Sequence, residues 1–240
     1  MIQDTAYSNT DEEYREICDF LDGVATQAPY MLWESGRMNF WRYNVHANRD
    51  AHDPFISDNV HIWRDTGIVG FSFACHFENI RTYDLKQVEF SYALEAGFTI
   101  QTFSESLDYA GRVALVRSAF GISRYTKTNL KQLMASPDYI DAYNLSVLSP
   151  EGQQVAYCIG WHERAKAHRG YIEPVATHAD YRRRGFAKAL SKECFRRMKA
   201  NGVKTVEIAS RAEPDVSNYL YDSLLPQSKR EVHKYVKRLT

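Results

Sequence analysis

The sequence predicts a mixed α/β fold: a mostly antiparallel sheet flanked by helices, preceded by a smaller, partial unit. Three observations carry that prediction. Several short stretches alternate apolar and polar residues at the period of a half-buried strand and meet at Gly- or Pro-bearing turns, which makes antiparallel hairpins. Amphipathic helical runs lie between them, two of them stopped by glycine, at Gly121 and Gly202. Residues 171–209 read as strand, helix, strand, the pattern of a right-handed parallel crossover.

The first half begins with a helix. Thr10-Asp11-Glu12-Glu13 has the form of a capping box, and Tyr14, Ile17, Cys18 and Leu21 then share one helical face. In "YMLWESGRMNFWRYN" the side chains Met31, Trp33, Phe40 and Trp41 could line a second helix, which Gly36 weakens. "NVHIWRDTGIVGFSF" is a hairpin turning at Asp65-Thr66-Gly67, with Ile62 and Trp63 before the turn and Val69, Phe71 and Phe73 after it. Residues 74–96 have neither a clean period nor a disordered composition, and are expected to form a connector packed between two halves.

The second half opens with an alternating strand at residues 97–104. A helix follows, with Leu107, Ala110, Val113, Ala114 and Phe120 expected to face inward, and then a shorter helix ending before Pro137. A hairpin turns at Pro150-Glu151-Gly152, with Leu145 and Val147 on one side and Val155, Tyr157 and Ile159 on the other. "GYIEPVAT" is the next strand, and the helix after it runs to Ala200 with Ala187, Leu190, Cys194 and Met198 inward. "KTVEIAS" is a strand, "SNYLYDSLL" a short helix and "REVHKYVKRL" a last strand.

Composition narrows the function classes. The 240 residues hold 30 Lys and Arg against 30 Asp and Glu, so no global field favours a polyanion and a dedicated nucleic-acid binder is disfavoured. Cys18, Cys75, Cys158 and Cys194 are scattered without metal-ligand spacing, as buried thiols of a reducing compartment would be. His46, His52 and His61 also lack metal spacing and read as surface or turn histidines. The N-terminus lacks a signal-peptide layout and no run reaches membrane-spanning length, so a soluble, cytoplasmic protein with no membrane partner is expected.

Against that neutral background, "HADYRRRGFAKAL" concentrates charge at one strand–helix junction. A solvated basic turn, a nucleic-acid patch and an anion cradle are the candidates. A helix start offers backbone N–H groups without intrahelical partners and a partial positive charge, a natural phosphate site. Gly185 would let the backbone approach an anion, Ala187 keeps the first turn small, and Arg182, Arg183 and Arg184 add charge. Neither GxxxxGK[ST] nor GxGxxG is present.

Residues 170–210, "GYIEPVATHADYRRRGFAKALSKECFRRMKANGVKTVEIAS", resemble the signature motif of the GNAT N-acetyltransferase superfamily, and "SNYLYDSLL" resembles the motif that follows it. The likeness in element order covers residues 97–240. Residues 10–73 resemble the opening of a second GNAT unit, so the chain is similar to a tandem GNAT protein. The implied organisation is a shortened, cofactor-free GNAT-like unit at 1–95 and a GNAT domain at 96–240. The resemblance implies transfer of an acetyl group from acetyl-CoA to a primary amine of a small molecule or peptide.

On that resemblance, Arg182, Gly185 and Ala187 occupy the motif's defining positions, and backbone N–H groups from Arg183 through Arg184, Gly185, Phe186 and Ala187 to Lys188 would hold the pyrophosphate. The strand carrying Val175 and Thr177 would pair with the pantetheine arm, and Pro174 suits a strand edge. Asn218 would bind the arm, and Tyr221 would protonate the departing thiolate. Leu225-Pro226 stands where the family usually has Gly-Phe.

An amine attacking a thioester must be neutral, the carbonyl polarised, and the leaving sulfur protonated. Glu173, expected on the face shared by Tyr171, Val175 and Thr177, is the candidate base, and the Val175 N–H would polarise the carbonyl. His162 and Glu163 are second-choice bases. Each assignment has a structural alternative: a carboxylate tied to an arginine for Glu173, a core tyrosine for Tyr221. Trp33, Phe40, Trp41 and Trp63 read as core or interdomain packing. The first unit would wall off the acceptor pocket or mediate a homodimer. A non-catalytic acyl-CoA-binding or regulatory module is the alternative function.

Overall fold

The computed structural model describes residues 2–5, 7–8, 10–25, 60–73, 78–121, 125–136, 138–163, 168–212 and 216–232. The expected second helix, with Trp33, Phe40 and Trp41, lies outside them, as do His46, His52, Cys75 and Pro137.

A three-stranded antiparallel sheet holds β1 (Gln3–Thr5), β2 (Val60–Arg64) and β3 (Ile68–Phe73), in that order. Helix α1 (Asp11–Ala25) buries Tyr14, Ile17, Cys18 and Leu21, the face that its periodicity gives. The capping box forms by half. Thr10 Oγ1 accepts the Glu13 N–H at 3.3 Å, while the Glu13 carboxylate reaches Ser8 and Arg64 instead. Arg64 also binds Glu16 at 2.6 Å, tying the helix to β2.

The larger sheet has seven strands. Strand β4 (Glu78–Asp84) precedes β5 (Thr99–Thr102), α2 (Phe103–Ser106), α3 (Tyr109–Phe120) and α4 (Lys127–Met134). Then come β6 (Asn144–Leu148), β7 (Gln154–His162), β8 (Arg169–Thr177), α5 (Phe186–Ala200), β9 (Thr205–Arg211), α6 (Val216–Asp222) and β10 (Ser228–Val232). The sheet order is β10-β4-β9-β8-β7-β6-β5. Among the described residues only β8 and β9 run parallel, joined through α5 as the crossover pattern requires.

Two expectations are corrected here. Residues 74–96 are not merely a connector, because β4 pairs antiparallel with both β9 and β10. The sheet therefore crosses the boundary expected at 95/96. Its polar residues alternate with Ile80 and hide the strand, since Asn79, Arg81 and Tyr83 are all buried. The second correction is the inward face of α3. Leu107 is 54% exposed and Phe120 45%, Ala110 and Ala114 are exposed, and Arg112, Leu115 and Val116 are buried.

Arg112 is the reason. Its guanidinium donates to Gln154 Oε1 at 3.1 Å, Asn144 Oδ1 at 2.9 Å and Ser146 Oγ at 2.7 Å, and lies 4.2 Å from the Tyr157 ring centroid. Among the described residues no carboxylate pairs with it, so neutral dipoles and the ring faces of Tyr157 and Phe103 carry a buried cation, which burial makes easier to deprotonate than an ordinary arginine.

Apolar clusters fill both faces of the sheet. On one face α5 packs Leu190, Cys194, Phe195 and Met198 against Ala156, Cys158, Ile172, Val206 and Ile208. On the other, Leu115, Val116, Leu130 and Leu133 from α3 and α4 pack against Tyr157, Ile159, Trp161 and Tyr171. Gly160 permits the close approach of β7 and α5: a Cβ there would lie 2.5 Å from Met198 Cε and 2.6 Å from Cys194 Sγ. Cys18, Cys158 and Cys194 are buried and form no disulfide. Among the described residues no helix is long and apolar enough to cross a membrane, and no His/Cys/Asp/Glu group could hold a metal.

Candidate active site

The junction after β8 is a tight left-handed turn. Arg183 has φ 66° and Gly185 φ 82°, and α5 starts at Phe186 with its first intrahelical bond from the Ala189 N–H to the Gly185 carbonyl at 3.0 Å. The N–H groups of Phe186, Ala187 and Lys188 precede that bond and so have no intrahelical partner. A methyl group on Gly185 would meet nothing within 4 Å, so the space over the helix start is open. Gly185 is needed for its φ, which disfavours any residue with a Cβ.

The three arginines divide their work. Arg182 Nη2 donates to the Ala119 carbonyl at 3.0 Å, fastening the turn to the end of α3. Arg184 pairs with Glu95 (Nε to Oε2, 2.7 Å) and lies over the rings of Phe98, Tyr181 and Phe186 at 4.7–5.2 Å. Arg183 is exposed. Phe186 is buried with its ring tilted against Phe98, centroids 4.7 Å apart, so what it offers the turn is its backbone. Ala187 and Lys188 are half-buried.

Strand β8 opens toward this turn. Its parallel pairing with β9 runs only from Arg169↔Thr205 to Tyr171↔Glu207. Beyond it, β8 stays paired with β7 through Thr177. Between them two steps on β7, Cys158 to Gly160, match three on β8, Val175 to Ile172, so a bulge falls at Glu173-Pro174, whose peptide bond is cis. The Trp161 indole, fully buried and stacked on Tyr171, donates to the Glu173 carbonyl at 2.7 Å and pins the bulge.

The bulge overturns one expectation. Tyr171 belongs to the α3 face and Val175 to the α5 face, so the two do not share a side with Glu173 between them. Glu173 is half-buried at the bulge, and Val175 and Thr177 are half-buried beyond it. Glu163, 4% exposed, is engaged by Arg169 (3.3 Å), which also pairs with Glu207 at 3.1 Å. His162 is half-buried at the end of β7.

Helix α6 closes the site from the β9 side. Tyr221 is 6% exposed and lies in the same buried cluster as Phe186, with Val175 packed against it. The Asn218 side-chain oxygen accepts from Arg81 Nη2 at 2.8 Å, Ser210 Oγ at 2.8 Å and Asn79 Nδ2 at 3.3 Å, and its amide donates to the Arg211 carbonyl at 3.0 Å. Asn218 thus knits β4, β9 and α6 together, a role not expected from its place in the motif.

Sequence reasoning missed Arg81, Tyr83, Trp161 and Glu95. For Arg81 and Tyr83 the signal was the period-two spacing of Asn79, Arg81 and Tyr83, which an apolar pattern search passes over.

Residues 120–224 match the family model of the Acetyltransferase (GNAT) family. In structure the chain is similar to a GCN5-related N-acetyltransferase from Sphaerobacter thermophilus, with 14% identity and a TM-score of 0.58 over 96% of this chain and 93% of that one. It is also similar to a tandem GNAT protein from the clavulanic acid biosynthesis pathway, with 9% identity and a TM-score of 0.57 over 98% of this chain and all of that one (100%). A third likeness is to an aminoglycoside acetyltransferase from an uncultured soil metagenomic sample, solved with trehalose, at 15% identity and a TM-score of 0.50 over 62% of this chain and 100% of that one. At these identities the likeness is one of fold. No curated protein matches the sequence.

Proposed function

We propose that this chain, which carries a GNAT acetyltransferase domain, transfers the acetyl group of acetyl-CoA to a primary amine of a small molecule or peptide. The observation that carries the proposal is one structural unit: a strand that parts from its parallel neighbour after Tyr171, followed at once by a left-handed turn at Gly185 and a helix start. The parted strand offers backbone groups to an extended arm, and the helix start offers N–H groups to a pyrophosphate. Bound acetyl-CoA supplies the thioester.

The chain's own residues then divide the work. Phe186, Ala187 and Lys188 present backbone N–H groups at the helix start, with Arg183 and Gly185 shaping the turn. Arg182 holds the turn to α3. Arg184 adds positive charge beside it while held by Glu95. Val175 and Thr177 line the parted edge, and the Val175 N–H polarises the thioester carbonyl. Glu173 takes the proton of the amine, directly or through water, and Tyr221 gives one to the leaving sulfur. The buried cysteine thiols support a reducing, cytoplasmic setting. The division into a cofactor-free first unit and a cofactor-binding second unit belongs to this proposal, with residues 78–95 assigned to the second unit by their strand.

Titration calorimetry with acetyl-CoA, paired with thiol release in the presence of a panel of primary amines, tests the proposal. Saturable binding with amine-dependent release is expected. No binding at millimolar acetyl-CoA would refute it. A second reading, a non-catalytic acyl-CoA-binding module, is favoured by the three hydrogen bonds that already engage the Asn218 oxygen. Binding without release on any amine would support that reading instead.

A further inference from the structure

Helix α6 has seven residues, fewer than a helix needs to hold its shape without tertiary contacts. Two side chains from β4 fix it. Arg81, fully buried, donates from Nε to Asp222 Oδ1 at 2.5 Å and from Nη2 to Asn218 Oδ1 at 2.8 Å. Asn218 and Asp222 stand four positions apart, one above the other on the helix, so a single guanidinium spans a full turn. Its remaining arm, Nη1, donates to Ser210 Oγ on β9 at 2.8 Å. Tyr83, two residues on and on the same face of β4, donates its hydroxyl proton to the Tyr221 carbonyl at 2.8 Å.

Tyr221 sits between these anchors, and the Arg81 guanidinium carbon lies 5.9 Å from its ring centroid. The planar fork suits this job better than an ammonium would. Three bonds leave in fixed directions to three partners, and a lysine could satisfy one or two of them without holding the helix in register. The Asp222 carboxyl shows the strength of the contact, because the hydrogen bond from Arg81 holds it below the usual carboxylate range.

We infer that Arg81 is a positioning residue for acetyl transfer: through the Asn218–Asp222 face of α6 it sets where the Tyr221 hydroxyl stands. The inference rests on the proposed role of Tyr221 as proton donor to the leaving thiolate. It gives β4, a strand far from the motif in sequence, a part in the chemistry.

The test is a double-mutant cycle on thiol release from acetyl-CoA with the primary-amine panel, using wild type, Arg81→Lys, Tyr221→Phe and the double variant. Acetyl-CoA binding and thermal midpoint are measured for each. Arg81→Lys is expected to lower kcat about tenfold while KM for acetyl-CoA stays within about threefold. It should have no further effect in the Tyr221→Phe background, because residues acting through one group are not additive. An equal loss in both backgrounds would make Arg81 a purely structural residue and overturn the inference alone. Wild-type protein that released no thiol on any amine would overturn the acyl-transfer reading and this inference with it. Should Arg81→Lys not fold, Tyr83→Phe replaces it in the same cycle, since it deletes only the hydroxyl that holds the Tyr221 carbonyl. The same non-additivity is then expected, and equal losses would again overturn the inference.

Discussion

Gly185→Ala is the perturbation that addresses the cofactor turn most directly. The site leaves room for the methyl group, with nothing within 4 Å, so steric collision is not the cost. The cost is the backbone: φ is 82°, and an L-residue with a Cβ held in the left-handed region loses roughly 1–2 kcal/mol. If alanine keeps the turn, that strain appears in stability, about 2–8 °C in thermal midpoint for a chain of this size. If the turn relaxes instead, the N–H groups of Phe186, Ala187 and Lys188 lose their alignment. The same energy then appears in acetyl-CoA affinity, about 5- to 30-fold in Kd.

Arg183→Ala is the control. It keeps a non-glycine residue at φ 66° and removes an exposed charge, whose screened attraction for a phosphate accounts for at most about fivefold in Kd. Thermal denaturation and titration calorimetry on both variants give the two quantities. Gly185→Ala should show the larger combined loss. A Gly185→Ala protein with unchanged midpoint and Kd, or an Arg183→Ala protein with the larger combined loss, would refute the account of a cradle made mainly of backbone.

Further outcomes follow from packing and charge. Gly160→Ala drives a methyl group into Met198 and Cys194 and should destabilise the chain by about 1–3 kcal/mol in urea unfolding; an unchanged midpoint would mean that α5 can move away freely. Arg112→Leu strips the donor from Asn144, Ser146 and Gln154 and should cost about 2–4 kcal/mol, since the acceptors left behind outweigh the relief of a buried cation. A loss below about 0.5 kcal/mol, the scatter of ordinary surface changes, would refute that balance. Burial pushes the Glu193 carboxyl up, but Arg196 and Arg197 pull it down further, to about 2 from 4.5. A lowered folded-state value stabilises above pH 4.5 and is lost as the pH falls toward 2. Wild type should therefore lose about 1–3 kcal/mol more than Glu193→Gln across that window. Parallel pH profiles would contradict it.

The hairpins, the crossover and the glycine turn were legible because each is written locally. Strand alternation, a turn residue and a helix stop lie within a few positions of one another, and the structure keeps them at β6–β7, at β8–α5–β9 and at Gly202. What escaped depends on partners distant in sequence. Arg112 reads as the solvent side of α3 until Asn144, Ser146 and Gln154 come beneath it, and the apolar residues around it then appear on the wrong face. Strand β4 lacks an apolar stripe because Arg81 and Asn79 spend their polarity on α6 and β9. The bulge at Glu173-Pro174 shifts the strand's alternation by one, which no periodicity count on β8 alone reveals.

The place of β4 also bears on the order of assembly. Its ladder joins Glu78 to Arg211 on one side and to Val232 on the other, so one edge of the large sheet is closed by residues that leave the ribosome far apart in time. Such long-range pairing raises contact order and slows folding. Until β9 and β10 arrive, β4 waits with both edges unpaired, a template for the wrong strand. Its charged and polar side chains, Arg81 among them, then serve the nascent chain as solubilising groups before they serve the finished fold as anchors.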